Sequence, residues 1–80
     1  MMRITLEYFA QLRDLAGCTR EERDIDAISL GTLYEQVRRD YQFPLERDQL
    51  RVAVNDAFAS WDEAPHEGDM VVFIPPVTGG

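Results

Sequence analysis

Eighty residues suffice for one hydrophobic core, which at this size buries only about 60% of the surface that the unfolded chain exposes. One cysteine, Cys18, and one histidine, His66, exclude an internal disulfide and cannot close a tetrahedral zinc site. A net charge of −7 argues against nucleic acid as a partner, because binding phosphates takes clustered Lys and Arg.

The opening MMRITLEYF carries charges at Arg3 and Glu7, so neither a signal peptide nor a membrane span is expected, and the cytoplasm is the expected location. Residues 3–8 alternate strictly, with Ile4, Leu6 and Tyr8 on one face of a strand. Phe9 falls on the polar parity; if the strand runs that far, it is an outward aromatic that asks for a partner. Residues 10–16 place Leu12, Leu15 and Ala16 at helical spacing, and Gly17 follows where a left-handed stop is needed. Residues 21–27, EERDIDA, read as a short edge strand whose charges discourage unwanted pairing. Thr32-Leu33-Tyr34-Glu35 fits a capping box. Behind it Leu33, Val37 and Tyr41 predict a helix of about three turns with one apolar stripe, ended before Pro44. Residues 51–55 predict a strand with Val52 and Val54 inward, Asn55-Asp56 a turn, and residues 57–61 renewed extended structure. After a second turn at residues 66–69, Met70 to Ile74 is apolar on both parities, so this strand is covered on both faces or lies centrally. The order predicts an α+β fold with a mixed sheet of about five strands, packed by one main helix and one short helix. Placing the most apolar last strand beside the first gives the ubiquitin-like β-grasp arrangement, with a domain over residues 1–74 and a tail over 75–80.

The charge is unevenly placed. Residues 1–51 hold all eight basic residues against ten acids, whereas residues 52–80 carry Asp56, Asp62, Glu63, Glu67 and Asp69 and no base. A solvated acidic surface fits this, as does a C-terminal end that approaches a basic partner. Every basic residue is arginine, as a genome rich in G and C would also give; an activated acyl group at the C-terminus would find no lysine amine on this chain.

Catalytic groups are scarce in the body. His66 reads as a solvated turn residue beside Glu67 and Asp69, and Cys18 as a small buried or half-buried side chain, with no cationic cluster to activate it. No phosphate loop, metal-ligand set or Ser/His/Asp combination appears, so the chain does not read as an enzyme by itself. The stretch FIPPVTGG, residues 73–80, is different. Pro75 and Pro76 lack N–H donors and hold extended backbone, so the sheet ladder ends near them and a semi-rigid spacer begins. Val77 and Thr78 are ordinary in size, and Gly79 and Gly80 have no Cβ to keep another surface away. Such a thread fits a narrow channel, although glycine-rich chain ends also fray.

The ending FIPPVTGG, with the Gly-Asp turn and the run MVVFI before it, resembles the C-terminus of the small subunits of molybdopterin synthase. VAVND at 52–56, Ser60-Trp61-Asp62 and the opening YFAQLRDLAG at 8–17 are similar to that family too, while residues 18–50 match only in pattern. Related thiamin-pathway sulfur carriers share the fold and the glycines but usually lack the double proline.

The resemblance implies a non-catalytic carrier subunit of a sulfurtransferase complex. A ubiquitin-activator-like adenylyltransferase would use ATP to convert the Gly80 carboxylate to an acyl-adenylate, and sulfur would then give a thiocarboxylate. The loaded tail, from Pro75 to Gly80, would enter the large subunit and donate sulfur to cyclic pyranopterin monophosphate in molybdenum cofactor biosynthesis. Two large and two small subunits are expected, with no tightly bound cofactor, no metal, no nucleic acid and no membrane. Phe9, Phe58 and Ile74 occupy family positions that contact the large subunit, Ile74 standing where an aromatic would be common. Three other functions remain open: a carrier for thiamin or tRNA thiolation, a protein modifier joined through Gly80, and an interaction domain whose tail does nothing.

Overall fold

The computed structural model describes residues 1–76; the expectations placed on Val77, Thr78, Gly79 and Gly80 lie outside the described residues. The elements are β1 (Met2–Tyr8), α1 (Ala10–Ala16), β2 (Arg20–Ile25), α2 (Leu30–Tyr41), a 3-10 turn at Arg47–Gln49, β3 (Arg51–Val54), β4 (Ala57–Ala59) and β5 (Met70–Ile74). The sheet order is β2-β1-β5-β3-β4, with β1 and β5 parallel and the other neighbours antiparallel. This is the expected β-grasp arrangement, with the last strand central and beside the first.

Period-two alternation decides the two sheet faces. Ile4, Leu6 and Tyr8 of β1, Val52 of β3, and Val71 and Phe73 of β5 are buried against Leu30, Leu33, Tyr34 and Val37 of α2. Tyr41, the third residue of the expected helix stripe, is only half-buried, while Leu30 and Tyr34 join the core unforeseen. The Phe73 ring meets Tyr34 edge-on at 5.0 Å and stacks with Trp61 at 6.1 Å. β5 is central but buried on one face only, since Met70, Val72 and Ile74 remain half-exposed on the other.

Two local expectations need correction. The residue capping α2 is Ser29, not Thr32: its hydroxyl accepts from the Thr32 N–H at 3.1 Å. The helix starts earlier because the loop after β4 satisfies its first donors. The Glu63 carbonyl accepts from the Leu30 N–H at 2.8 Å, and the Trp61 carbonyl accepts from the Gly31 N–H at 2.9 Å. The extended run after the Asn55-Asp56 turn ends at Ala59, because Ser60 to Glu63 turn back to make those contacts. Trp61 therefore lies in a turn, half-buried against Tyr34 and Phe73.

The charged edge strand β2 is used more fully than anti-aggregation charge requires. Glu21 and Arg23 share the parity of buried Ile25, so they point to the core side. There the Tyr8 and Tyr41 hydroxyls both donate to Glu21 Oε1, and Arg23 pairs with Asp40 on α2. The α1 helix is shorter and more exposed: Leu12 is buried but Leu15 is 47% exposed. Gly17 ends it at φ 78°, as the sequence requires. Its first residue, Ala10, also lies in the left-handed region at φ 51°, where a Cβ costs about 1–2 kcal/mol.

Two predictions follow from this packing. Burial raises the pKa values of all three tyrosines: Tyr34 is pushed up to about 12, and Tyr8 is raised further by its bond to the Glu21 carboxylate. The folded state keeps phenolic protons that the unfolded chain loses above the ordinary value of 10.0. Stability is thus full below pH 10 and falls as pH rises towards 12. Denaturant unfolding across that range should show the fall, and Tyr34→Phe should reduce it. Secondly, Ala10→Gly should stabilise the fold by about 0.5–1 kcal/mol in urea unfolding, whereas Gln11→Gly, one residue on, should cost about 1 kcal/mol.

Candidate functional site: an apolar sheet face at the root of the tail

The strand register builds a row of side chains across the outer face of the sheet. Glu7 pairs with Val72, Val72 with Ala53, and Ala53 with Phe58, so β1, β5, β3 and β4 each contribute one member. Ile74 lies one step further along, opposite Arg51. Phe9 follows the Tyr8–Phe73 pair in extended conformation, at φ −120° and ψ 152°. Strand β1 stops one residue short of it, yet Phe9 keeps the outward side that parity assigned. A depression of about 240 Å³ is lined by Glu7, Phe9, Ala53, Asp56, Phe58, Val72 and Ile74. Phe9, Phe58 and Ile74 thus come together on one surface, and Phe58 is 69% and Phe9 43% exposed. Two aromatics left this open on so small a chain mark an apolar patch of the kind that partners cover.

The hairpin carrying Phe58 is fixed from behind. Asn55 and Asp56 have φ values of 51° and 72°, the two-residue turn whose twist suits a tight hairpin. The Asn55 side chain accepts from the Met70 N–H at 3.0 Å and donates to Asp69 Oδ1 at 3.1 Å. Asp69, the one buried charged residue among the described residues, also accepts from the His66 N–H at 2.8 Å. The turn before β5 and the turn before β4 are therefore one hydrogen-bonded unit. His66 itself is solvated, with its side chain 80% exposed.

The acids of the last third do not form a single face. Glu67 accepts from the Arg3 N–H at 3.0 Å, Glu63 accepts from the Ser60 N–H at 2.6 Å, and Asp69 is internal. Glu63 and Glu67 remain exposed charges while they accept these bonds, and of the three only Asp69 is withdrawn from the surface.

At the end of β5 the alternation continues into the prolines. Phe73 and Pro75 are buried, whereas Ile74 is half-exposed and Pro76 exposed. Pro75 therefore packs on the body, while Pro76 is exposed. One depression of about 360 Å³ beside it is lined by Asp48, Gln49, Leu50, Arg51, Phe58, Ile74, Pro75 and Pro76. Another, of about 240 Å³, lies between the prolines and Ala10 and Gln11. The root of the tail and the apolar patch share Phe58 and Ile74. Val72 and Ala53 were not singled out from the sequence as patch members, although the run MVVFI, apolar on both parities, carried that signal.

Cys18 is a half-buried free thiol, and among the described residues no three His, Cys, Asp or Glu side chains converge on a metal position. No described helix is long and apolar enough to cross a membrane. The described body offers a surface and an exit, and no catalytic constellation.

Known proteins resemble this chain along nearly its whole length. A curated relative, the molybdopterin synthase sulfur carrier subunit of Escherichia coli, is 35% identical over 80 residues, covering 96% of this chain and 99% of that protein. The protein of the same name from Mycobacterium tuberculosis is 33% identical over 85 residues, with both chains fully covered. Among solved structures, SAMP1 from Haloferax volcanii superposes with a TM-score of 0.80 at 25% identity, covering 98% of this chain and 99% of that one. The model of the ThiS family matches residues 6–80, nearly the whole length, and the chain belongs to that family.

Proposed function

We propose that this chain is the sulfur-carrier subunit of a molybdopterin synthase, with the Gly80 carboxylate as the group that carries sulfur. The observation that carries the reading is the junction at Ile74. The central strand of the sheet hands the chain directly to Pro75 and Pro76, at the edge of an exposed apolar patch formed by Phe9, Phe58, Val72 and Ile74. A surface for docking and a stiff lead for the terminus thus sit side by side. Two relatives that align with 96% and 100% of this chain carry the name of that subunit.

A carboxylate is a poor electrophile, so the terminus must first be activated. In this scheme a Gly80 oxygen attacks the α-phosphorus of ATP on a ubiquitin-activator-like adenylyltransferase, and pyrophosphate leaves. Hydrosulfide then adds to the acyl carbon, AMP departs with the bonding electrons, and loss of the proton leaves a thiocarboxylate. Docking through Phe9, Phe58 and Ile74 places the tail in a channel of the large subunit. Gly79 and Gly80 pass where any Cβ would collide. The thiocarboxylate sulfur attacks a side-chain carbon of cyclic pyranopterin monophosphate, forming a carbon–sulfur bond as the carbon–oxygen bond there breaks and its oxygen leaves. Water then cleaves the thioester, leaving sulfur on the pterin and releasing the Gly80 carboxylate for reloading. A dithiolene needs two sulfurs, which suits an assembly of two large and two small subunits.

Intact mass spectrometry of the chain incubated with ATP, the adenylyltransferase and a sulfur donor should show one oxygen exchanged for sulfur at the C-terminal residue. Deleting Gly80 should abolish the exchange. Loading that survives the deletion, or unchanged mass with a demonstrably active enzyme, would count against the scheme. Phe9→Arg should weaken binding to the large subunit while leaving the thermal midpoint near that of the parent, because Phe9 lies outside the buried cluster. Loading followed by transfer to lysines of other proteins would favour a modifier instead.

A further inference from the structure

The eight basic residues divide sharply by partner. Arg3, Arg13, Arg20, Arg23 and Arg38 each have a carboxylate within 4.0 Å. Of the others, Arg47 lies across Gly31, where an added Cβ would meet its Nη1 at 2.2 Å, and Arg39 sits on the exposed side of α2. Arg51 has another setting. It is exposed, opposite Ile74 in the sheet register, and it lines the depression at the root of the tail with Phe58, Pro75 and Pro76. Its guanidinium carbon stands 5.5 Å from the centre of the Phe58 ring. Asp48 shares that depression and Asp56 borders the neighbouring one, yet neither is within 4.0 Å of the guanidinium.

We propose that Arg51 is a specificity-determining residue, whose guanidinium receives a carboxylate of the large subunit as Phe58 enters an apolar pocket beside it. The proposal rests on the large-subunit reading above. A guanidinium stacked on an aromatic ring keeps its N–H edges free and holds them in a planar fork that fits a carboxylate with two parallel hydrogen bonds. The stack also settles part of the side-chain ordering before binding, so less entropy is lost in the complex. On a chain of net charge −7 an acidic partner is repelled at long range, and a cation beside the apolar patch with no carboxylate partner among the described residues restores attraction only for the correct approach. Arginine is also among the residue types enriched where interfaces concentrate their binding energy.

The test is calorimetric affinity of the full chain for the large subunit at low and high salt. Arg51→Met keeps the apolar stem and removes the charge; it should weaken binding about tenfold at low salt, with the gap narrowing as salt rises. Arg51→Lys should recover part of the loss, because the charge returns without the fork. Phe58→Ala should weaken binding at both salt concentrations and leave the salt dependence in place. Equal affinity and equal salt dependence for Arg51→Met and the parent chain would overturn the proposal alone. A parent chain that does not bind the large subunit at all would overturn the synthase reading and this proposal with it.

Discussion

The two-residue period of β5, pinned by Phe73, is the constraint on which everything else here depends. Phe73 is fully buried, edge-on to Tyr34 and stacked with Trp61. Removing a ring so placed costs about 3–5 kcal/mol, a large share of the stability of a domain this size. Because side chains alternate strictly, Phe73 inward forces Val72 and Ile74 outward and turns Pro75 back onto the body. A slip of one residue would bury Ile74, expose Phe73 and reverse both prolines. The core, the outward patch and the direction in which the chain leaves the sheet are thus set by one choice of register.

That register is held by groups far away in sequence. The free N–H groups at the start of α2 find carbonyls of Trp61 and Glu63, so the helix packs only where the loop after β4 has already turned. Asn55 and Asp69 tie that hairpin to the first residue of β5. Helix, hairpin and central strand are therefore mutually dependent, which suits a domain with no disulfide to compensate for a small core. Acids of the last third take part in this wiring, Glu63 and Glu67 from the surface and Asp69 from within.

Much of this was legible in the sequence, for a physical reason. Alternation in RITLEY and the apolar run MVVFI are local patterns, and they placed β1 and the central β5 correctly. Gly17 and Asn55-Asp56 marked their turns through backbone requirements that are also local. Parity put Phe9 on the outer face, and the outward placement survives although the strand ends at Tyr8. What the sequence could not disclose was long-range. The Ser29 cap is a local bond, but the early start of α2 also depends on Glu63 and Trp61, far along the chain, which accept from Leu30 and Gly31. The pairing of Glu21 with Tyr8 and Tyr41 was hidden for the same reason, and Arg51 gave no sign of its contact with Phe58. For the candidate site, motif resemblance singled out Phe9, Phe58 and Ile74, and the fold shows why three distant positions lie together.

Positions on the outer face of the sheet tolerate change very differently, and this bears on how such a carrier can evolve. Val72 and Ile74 alternate with Val71 and Phe73, so altering them risks the core strand itself. Phe58 sits on β4, a three-residue edge strand, and Phe9 sits where β1 has already ended. Each can be exchanged with little effect on the buried cluster, to which neither belongs. Partner choice is therefore most easily tuned at the rim, by Phe9, Phe58 and Arg51, while the centre of the patch stays fixed by the needs of folding. Gly80 has no such freedom in the proposed scheme, because its carboxylate carries the sulfur and any Cβ would collide in the channel.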